Sequence, residues 1–230
     1  MRNRKPTNRG GAVVEFALLT PIWISLLLGT MWLGTAMVRE LQVQQAARDL
    51  ASMFCRAVDF STGSGTSGNE ILTDITQQLG TVTSTGTGVV IFSTLTYVGN
   101  SVCALAGSSY GTAGNGTPSN TGTHTSSCTN YGKFVFTQRY TQGNTNLRSS
   151  GFGSPLSADL DSSNMYKIDS VVTYVTHAGD VSTFNLLPAP KEDGTDGYQS
   201  GQPIYLVEVF FSGGGQVGYN IGGTYAYAVF

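Results

Sequence analysis

A chain of 230 residues is long enough for one domain with its own core, or for an anchor followed by a domain. Only 11% of residues are charged and 10% are aromatic, which excludes disorder of the highly charged, aromatic-poor kind. The net charge is −2 and no basic patch interleaves with aromatics, so nucleic acid is excluded as a partner on electrostatic grounds.

Charge placement says more than the total. Arg2, Arg4, Lys5 and Arg9 cluster at the N-terminus with no acid among them. From Ser61 onward five basic residues face ten acids, about −5. Between the basic cluster and Arg39 runs an apolar stretch, Gly11–Val38, whose only charge is Glu15. The 23 residues from Phe16 to Val38 have none. About 20 apolar residues suffice for a helix to cross the hydrocarbon core. A cleaved secretory signal has a shorter apolar region, roughly 7–15 residues. The sequence therefore predicts a single-pass helix over 11–38 in the inner (cytoplasmic) membrane, in contact with lipid. The basic flank predicts a cytoplasmic N-terminus and an exported C-terminal part.

Glu15 admits two readings. It is either an interfacial glutamate of little consequence, or a functional carboxylate, since an unpaired charge within a spanning helix costs a few kcal/mol. Pro21 removes one backbone donor and is expected to kink or loosen the helix. Beyond Val38 the pattern turns amphipathic. Val43, Ala47, Leu50, Phe54 and Val58 recur at helical spacing, with Gln45, Asp49, Ser52 and Arg56 opposite. This predicts a stalk helix over 39–60 that lays its apolar stripe on the exported domain.

The segment RGGAVVEFALLTPIWISLLLG, followed by VQQAARDLASMF, resembles the TadE-like family of Tad pilus minor pilins and pseudopilins. The resemblance spans about Arg9 to Ser52 and rests on the small-residue start, Glu15-Phe16, Pro21 and the run Gln45 to Arg48. It implies that 1–10 is a leader and that a prepilin peptidase cuts between Gly10 and Gly11, making Glu15 the fifth residue of the mature chain. A cut after Gly11 would make it the fourth. The resemblance also implies partners: that peptidase, other pilin subunits, inner-membrane assembly proteins, and homo- or hetero-oligomers formed through the N-terminal helix. In such an assembly a neighbour's Glu15 can neutralise the new α-amine, an ion pair worth most at low dielectric.

Residues 61–68 read as a flexible linker and 69–230 as the exported domain. Asn69–Leu79 suits a short helix. Val89–Val98, Lys133–Tyr140, Tyr166–Thr176, Ile204–Phe211 and Thr224–Phe230 read as strands, rich in β-branched and aromatic residues and bounded by turn formers. The expected fold class is α+β, a long N-terminal helix packed on an antiparallel sheet of about five strands. The polar loops over 104–132 and 141–164 are long enough to be either functional or disordered.

Of the three cysteines, Cys103 and Cys128 flank the first of these loops. In an exported domain a bridge between them is permitted and would contribute roughly 3.5 kcal/mol by loop-closure entropy. Cys55 is expected to be a small, partly buried hydrophobe at the edge of the stalk stripe, with an intermolecular bridge as the alternative. His124 and His177 lie in polar loops, and Asp159, Asp161, Asn164, Asp193 and Asp196 fit no EF-hand order. No phosphate-loop motif occurs. The expectation is a structural protein, not an enzyme, without cofactor or metal. The alternative is a membrane-anchored envelope protein whose exported domain binds a ligand or surface.

Overall fold

In the computed structural model, residues 11–60, 67–97, 134–153, 201–213 and 223–230 are described. The apolar run and the amphipathic stripe that follows it form one helix, α1, Gly11–Cys55. Pro21 lies inside it without ending it. The expected second helix is α2, Ser67–Thr76, with Leu72 buried and Ile71 and Ile75 partly so. Four strands follow: β1 (Gly88–Tyr97), β2 (Phe134–Gly143), β3 (Pro203–Phe211) and β4 (Thr224–Val229). They make one sheet in the order β2-β1-β3-β4, antiparallel at every pairing. The class is α+β as expected, with four strands rather than five; the fifth expected strand, Tyr166–Thr176, lies outside the described residues.

The chain divides into two compact units, 1–41 and 42–230. In the second, the last part of α1 covers one sheet face. Val43, Ala46, Ala47, Leu50, Ala51 and Phe54 are buried with Val90 and Phe92 of β1, Val207, Val209 and Phe211 of β3, and Ala226 and Ala228 of β4. Alanines on both sides let helix and sheet approach closely, while the volume is filled by aromatics. Phe54 meets Phe92, Tyr140 and Tyr205 edge-on at 5.4, 5.7 and 5.1 Å. Phe60 stacks on Phe92 at 4.6 Å. Burying aromatic side chains of this size contributes roughly 2–3 kcal/mol each.

The stalk helix does not reach Phe60. It ends at Cys55, where Ala57 takes a left-handed conformation with φ of 63°. The amides of Ala57 and Val58 donate to the carbonyls of Phe54 and Met53 at 3.0 and 3.2 Å, a Schellman closure. The reversal brings Phe60 back onto Phe92, and the Gln142 side-chain amide donates to the Phe60 carbonyl at 2.6 Å.

β1 is buried along its whole length because it has a strand on either side and both its faces are covered. On the face away from α1, Leu95, Phe136, Ile204 and Leu206 form a second cluster closed by Phe152 from the segment after β2. A register shift between Thr94 and Leu95 skips Thr137, whose hydroxyl donates to the Thr94 carbonyl at 3.2 Å.

Candidate assembly surface

The first unit presents an unburied apolar helix. From Val13 to Leu41 every large hydrophobic side chain is exposed, among them Phe16 at 72%, Trp23 at 70% and Leu41 at 63%. The change comes within one turn, since Val43 is fully buried. The part of α1 that precedes the fold is roughly 45 Å long, more than the ~30 Å hydrocarbon core. A helix of this length and apolarity, with none of its apolar window buried, is a membrane-crossing candidate and not a core helix.

Its hydroxyl side chains are closed internally. Thr20 and Ser25 donate to the carbonyls of Phe16 and Pro21 at 2.7 and 2.8 Å, four residues back. Thr30 and Thr35 donate to Leu27 and Trp32 at 3.0 and 2.9 Å, three residues back. Hydroxyls paired with their own helix are spared the cost of standing unsatisfied in an apolar surrounding.

Of the residues singled out from sequence, Gly11 opens α1 and has open space around it, while Gly10 lies outside the described residues. Glu15 is exposed and makes no side-chain hydrogen bond or ion pair among the described residues. Gly11 and Glu15 share the first turns of one helix. Cys103 and Cys128 lie outside the described residues, as do His124, His177 and the aspartates of 159–196. Cys55 corrects the sequence reading: its thiol is free and exposed. The buried stripe runs through Leu50, Ala51 and Phe54, and one residue further the helix has turned about 100° away from the sheet.

A group that the sequence reading missed sits on the second sheet face. Glu208 of β3 is 1% exposed. It accepts from the Ser150 hydroxyl at 2.5 Å, the Gly151 amide at 2.7 Å and the Tyr225 hydroxyl at 2.7 Å. Ser150 in turn accepts from the guanidinium of Arg139 at 2.9 Å. Arg139, also buried, donates to Ser93 of β1 at 2.9 Å and to the carbonyl of Gly153. Arg139 lies 4.1 Å from the Phe136 ring centroid, and Arg148 lies 3.9 Å from that of Tyr225. Burial first, and then the negative charge of Glu208, push the Tyr225 phenol well above its usual range. The available signal was Glu208 itself, a lone carboxylate in the apolar strand PIYLVEVFF. These bonds join Glu208, Ser150, Arg139, Ser93 and Tyr225 and fasten the segment 144–153 to the sheet.

No curated protein and no solved structure matches the chain. One family model does, that of the TadE-like proteins, over residues 10–52. Its limits enclose Gly10, Gly11, Glu15, the exposed apolar helix and most of the buried stripe, so the chain carries a TadE-like segment at the head of its α+β fold.

Proposed function

We propose that this protein is a minor pilin or pseudopilin of a Tad-type pilus, held in the inner membrane by α1 with its sheet domain exported. The observation that supports this most is that one helix is unburied and apolar over its first part and a core element over its last, within a TadE-like segment. In this reading a prepilin peptidase cuts between Gly10 and Gly11. The cut creates an α-amine four residues before Glu15. That carboxylate has no partner among the described residues of its own chain, so a neighbouring subunit's amine supplies the counter-charge. Small residues along α1, Gly29 and Gly34 among them, have open space around them and allow close helix packing. Cys103 and Cys128 form the disulfide of the exported domain, which non-reducing peptide mapping would find.

N-terminal sequencing of protein recovered from its own host tests the reading. The expected mature terminus is Gly11, and Gly10→Ala should leave a precursor in the membrane. Assembled material that begins at Met1 would overturn it.

A further inference from the structure

Arg148 stands apart from the buried network beside it. Its side chain is exposed, and its guanidinium lies 3.9 Å from the Tyr225 ring centroid and 5.6 Å from that of Phe210. Among the described residues it makes neither an ion pair nor a hydrogen bond. Glu208, which holds the Tyr225 hydroxyl, is itself occupied, because it also accepts from Ser150 and Gly151. The Tyr225 ring is fixed in place by its own hydroxyl, which donates to that carboxylate at 2.7 Å. Tyr227, two residues on and therefore on the same face of β4, is 40% exposed, its centroid 6.2 Å from that of Tyr225. Phe152 backs it edge-on at 5.1 Å. The result is a rigid aromatic shelf that carries one stacked cation with its donor edge open.

We propose that this shelf binds a carboxylate-bearing sugar chain, a polyuronate. The planar guanidinium takes one carboxylate by a paired hydrogen bond, and stacking on Tyr225 limits the freedom it loses in doing so. Tyr227 offers an apolar face to the C–H surface of the adjacent ring, with few rotamers to fix. From Ser61 onward five basic residues face ten acids, a field that opposes any polyanion, the sugar chain included, so the affinity comes from the shelf itself. An acidic peptide supplies carboxylates but no rigid saturated ring for Tyr227. This inference stands apart from the pilus reading, because binding is measured on purified chain whatever its processing or assembly.

The test is calorimetric titration of the full chain in zwitterionic lipid nanodiscs with oligogalacturonate and with its methyl ester, which keeps the ring and removes the charge. The acid should bind and the ester should bind about tenfold or more weakly. Arg148→Gln should lose as much. Arg148→Lys should recover only part, since the charge returns without the planar fork. Tyr227→Ala should weaken binding severalfold while Tyr227→Phe binds as the parent does. The unfolding midpoints of the Arg148 variants should not move. Absence of binding by the parent chain would overturn the proposal. So would equal affinity for acid and ester, an unaffected Arg148→Gln, or oligoglutamate or single-stranded DNA binding as tightly as the sugar.

Discussion

Glu15 and Glu208 are both carboxylates set in apolar sequence, and their surroundings make opposite demands. Glu208 is surrounded by donors from its own chain, so its removal leaves Tyr225, Gly151 and Ser150 without their acceptor. Glu208→Ala should therefore destabilise the folded domain by about 3 kcal/mol, read as a lower urea midpoint of the detergent-solubilised protein. Ser150→Ala should cost less, about 1 kcal/mol, because the carboxylate keeps two donors. Glu15 is exposed in α1 without a partner among the described residues, so the fold does not need it. Glu15→Gln keeps size and hydrogen bonding while deleting the charge. It should leave the urea midpoint and membrane insertion unchanged, and in the proposed assembly it should still be cleaved but fail to co-purify with partner pilins. Co-purification at the parental level would show that Glu15 sets no register.

Among the elements, the strands were legible because local composition and tertiary role agree. β-Branched and aromatic residues bounded by Gly, Asn or Pro place β1 and β3 within one residue of their observed ends. β2 runs on to Gly143, three residues past its expected end, since Gln142 is tied to Phe60 and Thr141 still pairs with Ile91. The end of α1 was misread for a physical reason. Val58 and Phe60 continue the apolar count, but they reach the core by a chain reversal, and the usual glycine that marks such a reversal is replaced by Ala57. Ala57→Gly should accordingly stabilise the protein by about 1 kcal/mol, measured by urea unfolding, with the helical circular dichroism unchanged. The network around Glu208 was illegible because its members come from β1, β2, β3, β4 and the segment between β2 and β3. Its parts come together only once the register is known. The exposed apolar surface of α1, by contrast, follows from a charge-free run that needs no partner to be recognised.

For the whole molecule, two phenols, buried Tyr140 and half-buried Tyr225, bear on its behaviour in alkali. Burial is the larger cause at both Tyr140 and Tyr225, and both are held protonated well above the ordinary tyrosine value near 10. In the unfolded chain these phenols ionise near pH 10, so above that pH the folded state binds more protons than the unfolded one. Stability from this source is fully present below about pH 10 and falls as pH rises past it. The urea midpoint should be flat between about pH 8 and 9.5, drop by about pH 11, and drop less steeply in Tyr140→Phe. The sheet order β2-β1-β3-β4 has a consequence in time as well as in space. β1 pairs with β3 through contacts such as Leu95 with Ile204, about a hundred residues apart, and β4 joins only beyond β3. As the chain emerges from the ribosome, the stripe from Val43 to Phe54 is made early, yet Val207, Val209, Phe211, Ala226 and Ala228, which share its core, are made last. The core around the stripe stays incomplete until β3 and β4 are made, and loop closure over such distances is slow. A chain cut short before β3 keeps its apolar anchor and lacks the strand that joins β1 to β4.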